Sequence, residues 1–266
     1  MNYLGKKQFY TERNSYRYER KFNPKKYSMY FWDKSKFNIT FYNYIKRDWL
    51  LTRGKTEDEV ISFLKNHSKV VVKPIALSSG KGIYIIETEN QFDVINYAKD
   101  FTQKEVLLEE FIIQHKKLAE LNPTSVNSVR IYTVLDEKEM VYIISAALRV
   151  GGKEAVVDNF HSGGICYSID IETGICGLGY DMMGNEYRIH PSTNLKVIGL
   201  EIPNWGKLKE FIYKVAKVLP KSRLIAWDVA ILEDGFELIE GNYEGDPGIM
   251  QTPSKLGKAY FIKSKY

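Results

Sequence analysis

The segment Ala226-Trp227-Asp228-Val229-Ala230 is followed, across a turn, by Leu238-Ile239-Glu240-Gly241-Asn242. Both segments predict β-strands that are apolar apart from a few oxygen-bearing side chains. The connection contains Glu233-Asp234-Gly235, and a three-residue hairpin loop with glycine last would place Asp228 directly opposite Glu240. A two-residue turn would instead send the two carboxylates to opposite faces of the hairpin.

The opposed carboxylates predict a metal site. Their Cβ atoms would lie about 5 Å apart, so the two charges repel each other unless a cation joins them. Asn242 lies two residues beyond Glu240 and would add an amide oxygen on the same face. Mg²⁺ binds such ligands and takes waters or phosphate oxygens for the rest. The alternative is an exposed strand end with ordinary surface acids, but the apolar flanking residues favour a site of Asp228, Glu240 and Asn242.

A segment nearer the N-terminus predicts a cradle for phosphates: Val70-Val71-Val72-Lys73-Pro74, then Ser78-Ser79-Gly80-Lys81-Gly82. It is not a Walker A loop, because Gly82 stands where that motif requires Ser or Thr. Its backbone N–H groups and Lys81 could close over phosphates as a flap, although such a segment is equally typical of a hairpin turn. Lys73 would point into the cleft, or, alternatively, extend along the surface to solvent.

Three further polar residues lie on two long strands predicted over 126–135 and 140–150: Asn127, Arg130 and Arg149. Arginine recognises phosphate or carboxylate groups through paired hydrogen bonds. The alternative for each residue is an ion pair on a strand face. His161 lies in a polar loop with Gly163 and Gly164. It could act as a base, or it could be an ordinary loop histidine.

The charge of the chain is unevenly placed. Residues 1–50 hold twelve Lys/Arg against four Asp/Glu, and 15 of the 36 aromatic residues, whereas the net charge of all 266 residues is +5. Such a segment suits nucleic acid, an anionic membrane surface or an anionic glycan. It also suits an N-terminal layer that packs its rings on the body and solvates its charges. No recognised nucleic-acid module is visible. We therefore predict that residues 1–50 form a layer packed on the body of the protein, and we expect no nucleic-acid partner.

The remaining composition indicates a globular protein. No apolar run reaches the roughly 18 residues needed to span a bilayer, and no signal peptide is visible at the N-terminus. Cys166 and Cys176 are too few for a disulfide framework and have no zinc-ligand spacing. These observations predict a reduced, cytoplasmic protein, and they leave a homo-oligomer open.

The pattern along the chain predicts an α+β fold with two lobes. Thr56-Glu57-Asp58-Glu59 is a capping box that begins a helix, and a compact unit of helices and strands follows to about residue 113. Residues 114–266 predict a second lobe with strand hairpins and a helix that begins after Asn204. Residues 1–50 predict helices and loops. The predicted divisions are therefore 1–50, 51–113 and 114–266, with a cleft between the last two.

Together these motifs resemble the ATP-grasp superfamily, and most closely its sugar-transfer-associated proteins. The resemblance runs from about Phe31 to the C-terminus. The stretches that carry it are Val72-Lys73-Pro74, Ser79-Gly80-Lys81-Gly82-Ile83, Leu108-Glu109-Glu110-Phe111-Ile112, Ser125-Val126-Asn127-Ser128-Val129-Arg130, Val157-Asp158-Asn159, Gly163-Gly164, Ile202-Pro203-Asn204-Trp205, Trp227-Asp228 and Ile239-Glu240-Gly241-Asn242. The superfamily's full N-terminal domain is missing here or reduced to residues 1–50.

The resemblance implies an ATP-grasp fold that clamps ATP and Mg²⁺ between two lobes. It implies Mg²⁺ ligands at Asp228, Glu240 and Asn242, and catalytic roles for Arg130 and Lys73. Arg149, on the second long strand, is the third predicted catalytic residue. The residues that it places at the nucleotide are Lys34, Lys73, Ser79, Gly80, Lys81, Gly82, Glu109, Glu110, Phe111, Ile112 and Asn127. Within that set the backbone of Glu109 to Ile112 would contact adenine, with Glu110 or a residue just after it near the ribose.

The implied activity is that of a carboxylate–amine ligase acting through an acyl phosphate. Its partners would be a small-molecule carboxylate and an amine or sugar acceptor, in a setting of polysaccharide biosynthesis. A kinase that phosphorylates a hydroxyl or a sugar could use the same residues. A nucleotide- or glycan-binding module without catalysis is the third hypothesis, and a peripheral contact with an anionic membrane or glycan stays open.

Overall fold

Two antiparallel sheets organise the chain in the computed structural model, which describes residues 9, 11–75, 82–152, 163–251, 254–255 and 257–265. The helices are α1 Glu12–Phe22, α2 Met29–Trp32, α3 Lys34–Thr40, α4 Glu57–Lys65, α5 Gln91–Lys104, α6 Lys116–Ala119, α7 Trp205–Val215, α8 Pro247–Gln251 and α9 Ala259–Lys263. The strands are β1 Trp49–Leu51, β2 Lys69–Pro74, β3 Tyr84–Glu87, β4 Val106–Glu110, β5 Val129–Leu135, β6 Val141–Val150, β7 Ile165–Ile169, β8 Cys176–Tyr180, β9 Glu186–Tyr187, β10 Leu224–Leu232 and β11 Gly235–Asn242. The predicted α+β class is confirmed.

The smaller sheet has the strand order β1-β4-β2-β3. Helices α4 and α5 cover it, and their apolar faces pack on the inward side chains of β2 and β4. The predicted capping box is confirmed, because the Thr56 hydroxyl accepts from the Glu59 N–H and the Glu59 carboxylate accepts from the Thr56 N–H. This reciprocal pair satisfies two helix-end donors that would otherwise lack partners.

The larger sheet has the order β11-β10-β5-β6-β7-β8-β9. Alternate residues of its strands face two separate apolar clusters. On one face Trp227 packs with Phe31, Phe37 and Phe41 of the N-terminal layer, together with α7. On the other face the C-terminal helices α8 and α9 cover Tyr132 and its neighbours. Several N-terminal rings thus pack on the body, as predicted, whereas Tyr16, Trp32 and Tyr42 are exposed.

Several predicted boundaries are wrong. Residues 1–50 do not consist of helices and loops alone, because β1 begins at Trp49 and pairs with β4. The strand predicted from residue 126 begins at Val129, so Asn127 precedes it. The helix after Asn204 does begin at Trp205 as predicted; Asn204 is its N-cap in a left-handed conformation (φ 55°), but within the described residues its side chain makes no capping hydrogen bond. The division at residue 113 stays a prediction.

Both connections between the sheets are anchored to the β10–β11 hairpin. Before β1, the backbone N–H groups of Lys46 and Arg47 donate to the Glu237 carboxylate at 3.0 and 3.2 Å. After β4, the N–H of His115 donates to the carbonyl of Ile231 at 2.7 Å. The hairpin therefore contacts the chain both where the chain enters the smaller sheet and where the chain leaves that sheet.

Among the described residues, no helix has the length and apolarity needed to cross a membrane.

Gly241 is the point where the N-terminal layer meets β11. A Cβ atom there would lie 3.0 Å from atoms of Phe31, Phe37 and Trp227. Because these rings are closely packed, we expect Gly241→Ala to lower the free energy of unfolding by about 1–3 kcal/mol. Gly206, in α7, has open space around its Cβ position, and alanine there should raise stability by about 0.4–1 kcal/mol. Urea unfolding of both variants checks the prediction, and equal effects would contradict it.

Candidate functional site

The β10–β11 hairpin brings Asp228 and Glu240 opposite each other, but not through the predicted loop. Leu232 pairs with Gly235, so the turn has two residues and the predicted three-residue loop is wrong. That turn alone would separate the carboxylates. A β-bulge restores their alignment: Val229 pairs with Leu238 while Asp228 pairs with Glu240, which leaves Ile239 as the extra residue.

The same face carries arginine next to the carboxylates. Asp228 pairs with Arg130 across β10 and β5, so Glu240, Asp228 and Arg130 form one row on three adjacent strands. Arg130 holds Asp228 through two hydrogen bonds, that from Nε being 2.6 Å long. Arg149 Nη1 donates to Asp228 Oδ2 at 2.7 Å, and Asn242 Nδ2 lies 3.3 Å from Glu240 Oε1. The structure thus brings together all five of these predicted residues.

The two carboxylates have opposite electrostatic environments. Burial by itself would raise the pKa of Asp228, but Arg130 and Arg149 outweigh it and hold this pKa well below its usual range. The pKa of Glu240 is raised, through desolvation and the neighbouring Asp228 carboxylate. The Asp228 side chain is only 2% exposed, whereas that of Glu240 is 50% exposed. Glu240 is therefore the accessible member of a pair in which charge is crowded.

This donor set fits a divalent cation. Two carboxylates and an amide are oxygen ligands of the kind that Mg²⁺ prefers, and the crowding at Glu240 is what a cation would relieve. A carboxylate offers about four lone-pair positions, so the hydrogen bonds from Arg130 and Arg149 leave Asp228 able to accept a further partner. The amide of Asn242 can present its oxygen instead of its nitrogen after a half-turn.

Two predicted lysines meet near this row. Lys34 Nζ donates to the carbonyl of Pro74, at the end of β2, at 3.2 Å. The pKa of Lys34 is lowered, mainly by burial. The carboxylate of Glu240 opposes this shift, and the nearby charge of Lys73 adds to it. Lys73 itself forms an ion pair with the buried carboxylate of Glu109. Lysines from two parts of the chain therefore lie near each other, and one of them, Lys34, interacts with the accessible carboxylate of Glu240.

Glu109 is held by more partners than the sequence indicated. Arg47 Nε lies 2.9 Å from Glu109 Oε2, and Arg47 Nη2 and Asn38 Nδ2 each donate to Oε1 at 3.0 Å. Burial would raise the pKa of Glu109, but Arg47 and Lys73 hold it well below its usual range. Arg47 is 5% exposed, so the prediction that the N-terminal layer solvates its charges is wrong for this residue.

Sequence reasoning missed Arg47 because it lies in a basic segment where most arginines and lysines are exposed. Its second acidic partner, Glu237, is also buried and accepts from Arg47 Nη1 at 2.6 Å. The one available signal was Glu237 itself, an acid in an otherwise apolar strand segment. A buried carboxylate requires a cationic or hydrogen-bonding partner, but the sequence does not say which.

The other predicted residues are placed less closely around the row. Glu110 ends β4 and accepts from the Asp48 N–H at 3.1 Å, and Phe111 and Ile112 follow it in the connection to the larger sheet. Asn127 is buried, and its Nδ2 donates to the carbonyls of Leu118 and Asn122. The structure thus gives Asn127 a role in holding its loop.

Only Gly82 of the predicted flap belongs to the described residues. Gly82 is described, with a positive φ of 70°, and lies just before β3. The remaining flap residues and the loop with the candidate histidine lie outside the described residues: Ser79, Gly80, Lys81, Asp158, Asn159 and His161. Their predicted contacts with phosphates stay predictions.

The fold has known counterparts among solved structures. The ATP-grasp ligase PsnB, complexed with a minimal precursor, Mg and ADP, matches with a TM-score of 0.55 and 12% identity, over 91% of this chain and 60% of that one. D-Alanine-D-alanine ligase from Helicobacter pylori matches with a TM-score of 0.55 and 15% identity, over 90% and 62%. D-alanyl-alanine synthetase A from Vibrio cholerae matches with a TM-score of 0.51 and 14% identity, over 89% and 60%.

These likenesses establish an ATP-grasp fold, and the chain spans about 60% of the length of these three structures. A search of curated proteins found no significant match. The family model described as sugar-transfer associated ATP-grasp matches residues 13–259, which is nearly the whole chain. The chain therefore belongs to the sugar-transfer associated ATP-grasp family, as its motifs predicted.

Proposed function

We propose that the protein is an ATP- and Mg²⁺-dependent carboxylate–amine ligase that acts through an acyl phosphate. The observation that carries this proposal is the row of Glu240, Asp228 and Arg130, with Lys34 close to it. It sets a pair of carboxylates, of which Glu240 is accessible, beside cations, as a metal-bound polyphosphate requires. The solved ligases with this fold support the proposal, PsnB having been solved with Mg and ADP.

In the proposed reaction a substrate carboxylate oxygen attacks the γ-phosphorus of ATP, and the bond to the β-phosphate oxygen breaks to release ADP. The nitrogen of an acceptor amine then attacks the acyl carbon, phosphate leaves and the nitrogen loses a proton. Both steps place negative charge on phosphoryl oxygens. Arg130, Arg149 and Lys73 are the residues that we assign to neutralise that charge.

Asp228, Glu240 and Asn242 would hold Mg²⁺, which when bound would supply additional positive charge for the phosphoryl oxygens. Lys34 and the backbone of Glu109 to Ile112 would contact the nucleotide. Because an acyl phosphate hydrolyses in water, the segment with Ser79, Gly80, Lys81 and Gly82 would close the site. These assignments follow the family motifs and the positions of the described residues.

For the acceptor we propose an amino sugar or another sugar-linked amine, used in polysaccharide biosynthesis. The support is the family description, sugar-transfer associated. We place the reaction in the cytoplasm, where ATP is available, and the two cysteines, which are both buried and not in a disulfide, agree with a reducing compartment.

The test is ADP release in the presence of Mg²⁺ with amino acids and other small carboxylates, each combined with amino sugars or nucleotide sugars. We expect ADP release to depend on a carboxylate, and hydroxylamine in place of the amine to trap a hydroxamate. A phosphorylated hydroxyl product without hydroxamate would make the protein a kinase instead. Binding of MgATP without turnover across all acceptors would make it a binding module.

A further inference from the structure

We infer that Arg47 is a positioning residue for the proposed reaction: it sets the phosphate-binding lysine of the smaller sheet relative to the metal-binding strand of the larger sheet. The inference rests on the proposed function, and it concerns a residue outside the site's own ligand set. Arg47 is buried, with 5% of its surface exposed, so its guanidinium interacts with protein groups and hardly with solvent.

On the side of the smaller sheet, Arg47 acts through Glu109. Its Nη2 donates to Glu109 Oε1 at 3.0 Å, and its Nε lies 2.9 Å from Oε2 in an ion-pair contact that lacks hydrogen-bond geometry. The guanidinium thus contacts both oxygens of this carboxylate. Glu109 in turn forms the ion pair with Lys73. The position of the Lys73 amine therefore depends on the guanidinium behind its partner.

On the side of the larger sheet, Arg47 contacts the strand that carries Glu240. Nη1 donates to Glu237 at 2.6 Å and to the carbonyl of Leu238 at 2.9 Å. Nη2 lies 3.3 Å from the carbonyl of Ile239, the extra residue of the bulge. This is the residue directly before Glu240, so one guanidinium contacts the partner of Lys73 and the bulge that aligns the metal ligands.

Lysine cannot replace this arrangement. A guanidinium offers five N–H donors in a fixed plane, whereas an ammonium group is a point charge with no fixed fork. Lysine at position 47 would keep the positive charge for Glu109 and Glu237, but it would lose the simultaneous contacts to both sheets. Removing a partner that orients a ligand typically costs about 10–100-fold in affinity or activity.

The experiment is a double-mutant cycle read by calorimetric titration with a non-hydrolysable ATP analogue and Mg²⁺. We expect Arg47→Lys to raise Kd by about tenfold or more. In a Lys73→Ala background the same change should alter Kd by about twofold or less, because the group that Arg47 positions is already gone. Thermal unfolding confirms that each variant is folded. The matched control is Arg53→Lys, an arginine with a glutamate partner at 2.9 Å whose side chain is 58% exposed; it should leave Kd unchanged.

The outcomes separate the two claims. If the wild-type protein does not bind the analogue, the proposed function is overturned and this inference with it. If it binds, but Arg47→Lys has no effect or has an equal effect in both backgrounds, the inference alone is overturned. Should Arg47→Lys not fold, Glu237→Gln serves in the same cycle, since it loosens one anchor of Arg47 and keeps the size of the side chain.

Discussion

Glu240→Gln is expected to reduce Mg²⁺-dependent ADP release by at least about 100–1,000-fold, the loss typical for removing one preorganised charge-stabilising group from an active site. Glutamine keeps the size of the side chain but removes the negative charge that the metal requires beside Asp228. The measurement is the rate of ADP release at saturating ATP, with Mg²⁺ varied so that weaker metal binding and slower chemistry are separated.

A matched control for this variant is Glu87→Gln. Glu87 is also a strand glutamate with a lysine nearby, but it lies in the smaller sheet and its side chain is 73% exposed. It should release ADP at the wild-type rate. Near-wild-type release by Glu240→Gln would refute the assignment of the metal site.

Asp228→Asn is expected to lower the free energy of unfolding by about 3–5 kcal/mol, because it removes the shared partner of two buried arginines. Arg130 and Arg149 have side chains only 7% and 8% exposed, so solvent cannot replace the carboxylate. Glu240→Gln should change stability by less than about 1 kcal/mol, since Glu240 is half-exposed. Urea unfolding of the two variants, monitored by circular dichroism, gives the comparison.

The contrast between these two variants is the informative result. Both are expected to abolish activity, but only the loss of Asp228 should also destabilise the fold. A loss below about 1 kcal/mol for Asp228→Asn would show that the two arginines do not depend on this carboxylate.

Local sequence patterns predicted much of the fold. The capping box at Thr56 and Glu59 needs only residues that are neighbours in the chain, so its position could be found without tertiary information. The hairpin of β5 and β6 was predicted for a similar reason, because long apolar strands flank a short polar turn. The family resemblance then extended the prediction to an ATP-grasp fold, which the family model and the solved structures confirm.

The alignment of Asp228 and Glu240 was predicted correctly for the wrong reason. The turn has two residues instead of three, and the bulge at Ile239 compensates for the missing one. Strand alternation along β11 does not reveal such a bulge, because the extra residue is accommodated by contacts from elsewhere in the chain. The contact from Arg47 to the Ile239 carbonyl is one of these.

The network around Arg47 could not be predicted because its members are far apart in the sequence. Arg47 precedes β1, while Glu109 lies in β4 and Glu237 lies in β11. Each charge alone is unremarkable in a chain that is 27% charged. Only the fold shows that these groups neutralise one another in the interior.

The double anchoring of the connections restricts how the two sheets can move. The β10–β11 hairpin accepts hydrogen bonds from Lys46 and Arg47 before the smaller sheet and from His115 after it. This hairpin therefore defines a rotation axis for the smaller sheet. Rotation of the smaller sheet about this axis can keep those hydrogen bonds, whereas translation of the sheet along the hairpin would break them. Entry and exit of a bound molecule would therefore occur by a hinge-like rotation of the smaller sheet, while the row of Glu240, Asp228 and Arg130 stays fixed in the larger sheet.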